Sequence, residues 1–284
     1  MNSVKVGICG LGTVGAGTFN VLARNQVEIS ARVGCDINVT HIGARRDNPD
    51  VDIADTQISR DIFAVAEDPS IDILVELIGG TTVAKDLILK AIDNGKHVVT
   101  ANKALIAEHG NEIFAAAALK GVSVAFEAAV AGGIPIIKAI REGLAGNKIE
   151  WLAGIINGTG NFILTEMREK GRDFSDVLEE AQALGYAEAD PTFDVEGIDA
   201  AHKLVILASL AFGIPLQFEK VFTESNFVVF FGNSLTVTII SLFFVLLFGA
   251  MIAWALSEYD FKGRRLLTLF MAIGIMVPIR LGTV

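Results

Sequence analysis

The first 125 residues alternate short apolar runs with longer amphipathic stretches. Val4-Lys-Val-Gly-Ile-Cys9 is rich in β-branched residues, and apolar positions then recur at helical spacing through Phe19, Val21 and Leu22. Similar runs stand at 37–42, 71–78, 96–99 and 122–126, with helical patterns at 83–94 and 104–120 between them. Strands and helices alternating at these lengths predict a doubly wound parallel sheet of the α/β class.

The pattern changes near residue 127. Glu127-Ala-Ala-Val130-Ala-Gly132-Gly133-Ile134-Pro135 is small, glycine-rich and nearly uncharged, and a helix is expected through 136–144. Residues 151–156 read as a strand entering the polar turn Asn157-Gly-Thr-Gly-Asn161. An acidic loop and an apolar helix follow. Beyond Glu224 the chain runs 33 positions, 225–257, without one ionisable side chain. That is long enough for a tilted membrane span, which needs ~20 apolar residues. The run at 266–279 has only 14 positions, with Pro278 near its end, and makes a weak second span. The divisions expected are 1–126, 127–224 and 225–284.

Lys5 to Cys9 leads directly into Gly10-Leu-Gly12-Thr13-Val14-Gly15 and then a helix. Strand, G-x-G-x-x-G and helix in that order let backbone N–H groups at a helix N-terminus face a pyrophosphate, so a Rossmann-type dinucleotide site is expected here. Its contacts would come from Gly10, Gly12, Thr13, Val14 and Gly15. The strand at 37–42 ends in Gly43-Ala-Arg45-Arg46. Two arginines there suit the 2′-phosphate of NADP; they could also be a solvated pair, and Asp36, which precedes the strand, is a weaker candidate for the ribose of NAD. Ile78, Thr100 and Lys103 fall at the carboxyl ends of expected strands, where ligands sit on such sheets.

The chain carries −10 overall and the last sixty residues net +2, leaving −12 for the first 224. So acidic a surface repels phosphate backbones and disfavours a nucleic-acid partner. A small-molecule substrate is expected. Cys9 and Cys35 are the only cysteines, which fits reduced thiols and a cytoplasmic setting better than a disulfide framework. The first residues lack the basic and long apolar regions of a secretion signal.

Five acidic residues, Glu188, Asp190, Asp194, Glu196 and Asp199, fall within twelve positions before the apolar helix. Asp199 and Lys203 are four apart and share one helical face. His202 points about 100° away from Lys203 and reads as structural. Glu127 reads as a helix-capping carboxylate, or as a ligand beside freed carbonyls for a hard monovalent cation.

GLGTVG, ELIGG, VVTANKALIA, FEAAVAGGIPII, GIINGTGNFIL and GYAEADPTFDVEGIDAAHKL occur in this order. Through them, residues 1–224 closely resemble bacterial homoserine dehydrogenase. The resemblance implies NAD(P)-dependent interconversion of aspartate 4-semialdehyde and homoserine by an oligomeric enzyme. It makes Lys203 the general acid/base, with Asp199 beside it, and Glu188 and Asp194 substrate ligands. A sodium-type cation would be held by Glu127 and the carbonyls of Val130, Gly132 and Ile134. The resemblance stops at Glu224, inside the family's substrate domain, so the expectation is a truncated α/β second domain, uncovered apolar faces and little turnover.

Residues 225–284 instead resemble the inner-membrane permease subunit of a sugar ABC transporter, through Asn233-Ser-Leu-Thr-Val-Thr238, the 249–263 segment and the 272–284 segment. A transmembrane-like helical tail and a chimeric chain are the expectation. Lys262, Arg264 and Arg265 would hold the loop after the first span in the cytoplasm. That orientation would send residue 224 to the other side, away from a cytosolic cofactor. A nucleotide-binding membrane protein without catalysis is the alternative reading.

Overall fold

The computed structural model describes residues 3–53, 56–187 and 190–224. Residues 1–224 form one compact unit. At its centre is a six-stranded sheet built from β1 (Ser3–Cys9), β2 (Asp36–Gly43), β3 (Gln57–Ser59), β4 (Ile73–Glu76), β5 (His97–Thr100) and β6 (Val124–Ala125). Every pairing is parallel, in the order β3-β2-β1-β4-β5-β6. The order reverses between β1 and β4, and that crevice is where a doubly wound sheet binds its ligand.

Helices on both faces of the sheet bury the carboxyl-terminal halves of β1 and β2. On one face α1 (Thr13–Arg24) lays Ala16 and Phe19 against Val6, Ile8 and Ile42. On the other, α3 (Ile62–Glu67), α4 (Val83–Asp93) and α5 (Lys103–Lys120) enclose Leu74, Val98 and Val124. α2 (Gln26–Val33), β3 and α3 were not expected from the apolar pattern; α2 buries no residue and is only eight residues long.

The second part begins with a 3₁₀ turn, Glu127–Ala129. The single helix expected at 136–144 is instead α6 (Ile136–Lys138) running into a wider π-type turn, Ala139–Gly143. α7 (Gly158–Lys170) and α8 (Phe174–Ala183) share a small core of Ile163, Val177 and Ala181. α9 (Thr192–Val195) precedes α10 (Ile198–Phe212), which packs on α5 through Val205, Ile206 and Leu207. α11 (Phe218–Glu224) closes the unit.

One strand expectation fails. Residues 151–157 pair with no strand, and Trp151 and Ile155 are 75% and 79% exposed. A strand needs a neighbour for its N–H and C=O groups, and none lies beside this segment among the described residues. The expected membrane spans and permease-like motifs lie outside the described residues, within which no helix is long and apolar enough to cross a membrane.

Candidate functional site: a nucleotide crevice and a lysine–aspartate–lysine cluster

The turn after β1 takes its shape from its glycines. Gly10 has φ +101, and a Cβ there would lie 2.6 Å from the Leu77 carbonyl oxygen. A Cβ on Gly15 would lie 1.9 Å from the Gly10 carbonyl oxygen, so α1 can approach the strand only with glycine at that position. At Gly12 a Cβ would meet nothing within 4 Å: space is open where a ligand must come close. α1 has no side-chain cap and no acidic residue in its first turn. Its first N–H groups, those of Thr13, Val14 and Gly15, have no side-chain cap among the described residues, and their partial positive charge faces the crevice.

Two cavities meet along Leu77 and Gly79. The larger, about 840 Å³, is lined by Gly10, Gly12, Arg45, Arg46, Ile78 and Gly80. The smaller, about 280 Å³, is lined by Val14, Glu76, Asn102, Lys103, Phe193 and His202. Arg45 and Arg46 are exposed and form no ion pair among the described residues, leaving their charge available. Asp36 pairs with Ser3 at the amino end of β2, opposite to the glycine turn, and cannot reach a ribose bound there. The Thr100 side chain is a further correction. It is fully buried and its hydroxyl donates to Glu76 Oε2 at 2.6 Å, so Ala101 and Asn102 line the cavity in its place.

Asp199, 8% exposed, sits in the first turn of α10, where the helix dipole favours a carboxylate. Its Oδ2 accepts from Lys203 Nζ at 2.6 Å and Asn157 Nδ2 at 3.0 Å. Its Oδ1 meets Lys103 Nζ, from the start of α5, at 3.1 Å. Burial pushes the Asp199 pKa up, but donation from Lys203, Asn157 and Lys103 outweighs it and holds the group below the usual carboxylate range. Lys203 also donates to the Ile156 carbonyl at 2.7 Å, and Asn157 donates to Asp194 at 2.8 Å.

Lys103, expected only at the cofactor, thus joins the Asp199–Lys203 pair. Lys203, Asp199 and Asp194 are brought together; Glu188 lies outside the described residues. Asn157, Phe193 and Glu76 also stand at the cluster or the cavities, unmarked by motif spacing. Glu76 had a legible signal, a lone carboxylate inside an apolar strand just before two glycines.

His202 is 1% exposed, with its ring 4.4 Å from that of Phe218. Its Nε2 lies 3.4 Å from a Glu108 oxygen without hydrogen-bond alignment, and it also forms part of the cavity wall. Burial lowers its pKa against the pull of Glu108.

Glu127 caps α6, accepting from the N–H groups of Ile137 and Lys138 at 3.0 Å. The carbonyls of Val130 and Gly132 accept no hydrogen bond among the described residues, whereas that of Ile134 accepts from Ile136. Oxygen donors of this kind fit a hard cation.

A family model described as homoserine dehydrogenase, NAD binding domain, matches residues 10–127. A second, described as homoserine dehydrogenase, matches residues 135–253 and so reaches past Glu224, where the sequence resemblance was drawn to stop. A hyperthermophilic archaeal homoserine dehydrogenase in complex with NADPH is 30% identical, with a TM-score of 0.67 over 75% of this chain and 71% of its own. The chain belongs to the homoserine dehydrogenase family. The homoserine dehydrogenase of Pseudomonas aeruginosa is 75% identical over 224 residues, 79% of this chain and 52% of the relative. The homoserine dehydrogenase structure from Thiobacillus denitrificans is 64% identical, with a TM-score of 0.73, over 78% of this chain and 51% of that one. The chain spans about half the length of the curated relatives it matches.

Proposed function

We propose that residues 1–224 hold the nucleotide site and acid/base cluster for NAD(P)H-dependent interconversion of aspartate 4-semialdehyde and homoserine. The observation that carries this is the Asp199 carboxylate bound by Lys103 from the nucleotide part and Lys203 from the second part. Residues 1–126 act as the nucleotide domain and 127–224 as part of the substrate domain. When bound, the nicotinamide supplies a hydride to the aldehyde carbon. Lys203 gives its proton to the carbonyl oxygen as that oxygen gains negative charge. Asp199 fixes where both amines point. Asp194 and Glu188 bind the substrate, Glu188 through its amino group. Glu127 with the carbonyls of Val130, Gly132 and Ile134 would hold a monovalent cation that stiffens the 127–135 turn. Arg45 and Arg46 favour NADP over NAD, and a reduced cytosolic cofactor pool fits a cytoplasmic enzyme that oligomerises.

The test is titration of the purified chain with NADPH, followed by NADPH oxidation with aspartate semialdehyde. Saturable binding with little turnover is expected, because residues 151–157 have no strand partner among the described residues. Failure to bind would sink the reading, and robust turnover would overturn the expectation of low activity. For residues 225–284 the reading is membrane association, supported by the 33 uncharged positions at 225–257; flotation with liposomes would decide it.

A further inference from the structure

Glu76 is fully buried at the carboxyl end of β4, beside the glycine turn of β1 and opposite Thr100 of β5. Its Oε1 accepts from the N–H groups of Ile78 at 2.8 Å and Gly79 at 3.0 Å, and its Oε2 from the Thr100 hydroxyl at 2.6 Å. Thr100 Oγ1 in turn accepts from the Asn102 N–H at 2.9 Å. The Asn102 side chain closes the circuit, donating to the Gly80 carbonyl at 2.7 Å and accepting from the Leu105 N–H at 3.1 Å as the cap of α5. Lys103, the first residue of that helix, reaches Asp199.

Each end of this circuit borders the site. The 78–80 turn lines the larger cavity and its Gly79 the smaller one as well; the start of α5 carries Lys103. We propose that Glu76 is a positioning residue, locking the 78–80 turn and the start of α5 into one unit so that the nucleotide and the Lys103 amine stand in register. This rests on the proposed NADPH site. Three donors converge on Glu76, and a carboxylate accepts all three without presenting a donor of its own. A glutamine would have to turn its NH₂ toward either the two backbone N–H groups or the Thr100 hydroxyl. A residue that only glued the fold together would lower stability when changed and leave ligand affinity alone.

The experiment compares NADPH affinity, by nucleotide fluorescence on the full chain, for Glu76→Gln, Thr100→Val, Thr100→Ser and the Glu76→Gln/Thr100→Val pair. Val177→Ala, in the α7–α8 core, serves as a destabilised control. Losing a hydrogen bond to a charged group should raise the Kd about tenfold in Glu76→Gln and comparably in Thr100→Val. Thr100→Ser keeps the hydroxyl and should stay within about twofold, as should the control, and the pair should be less than additive because the two residues share one link. Folded Glu76→Gln and Thr100→Val proteins that bind NADPH as tightly as the parent chain would overturn the proposal. Should Glu76→Gln not fold, Thr100→Val decides alone. A parent chain that binds no NADPH overturns the site itself, an outcome distinct from unaltered binding in the variants.

Discussion

Gly12 and Gly15 separate ligand approach from fold geometry within one turn. Gly12→Val places its side chain in open space, so the melting temperature should hold while NADPH binding falls at least about 100-fold from a clash with the phosphates. Gly15→Ala drives a methyl into the Gly10 carbonyl and should cost about 1–3 kcal/mol in a denaturant titration. At Asp199, Lys203→Met removes one charged donor from a nearly buried carboxylate, and thermal melting should register a loss of about 2 kcal/mol. The motif spacing made the glycines and the Asp199–Lys203 pair legible. It could not bring Lys103 to Asp199, because 96 positions separate the two and only packing of α10 on α5 joins them.

Among elements, β1, β2, β4, β5, β6, α4 and α5 were legible because each places apolar residues in one of the two cores that flank the sheet. β3 is three residues long and α3 six, too short for periodicity to register. The 151–157 segment shows the opposite error: its residue types suit a strand, yet strand formation depends on a neighbour that local sequence does not supply. The loop after β2 carries a prediction of its own. Arg45→Ala/Arg46→Ala should weaken NADPH binding about tenfold or more while NADH binding changes less than about twofold, since only the former has a 2′-phosphate for the arginines to meet.

For the molecule as a whole, acid should act in two stages. His202 is held below the ordinary histidine range by burial, so the unfolded chain takes up its proton first and stability falls as pH drops below about 6.5. Glu108 and Asp199 oppose that shift and Lys103 adds to it. Asp68 is lowered to about 2, burial being outweighed by donation from Ser70 and His41, so its contribution is complete above about pH 4 and is lost toward pH 2. Asp199 adds to this second stage in the same sense. Urea titrations from pH 8 to pH 3 should therefore show a shallow decline and then a steep one. His202→Leu should remove the shallow stage alone; its persistence would assign that stage elsewhere.

One carboxylate, Asp199, answers two ammonium groups, Lys103 and Lys203. Asn157 ties the Asp194 carboxylate to the same group, so two acids meet two lysines, and Lys103, 39% exposed, stands at the open edge of the cluster. In the proposed reaction, a proton that leaves Lys203 leaves Asp199 with Lys103 as its remaining charged partner, so the carboxylate stays matched while the other amine is neutral.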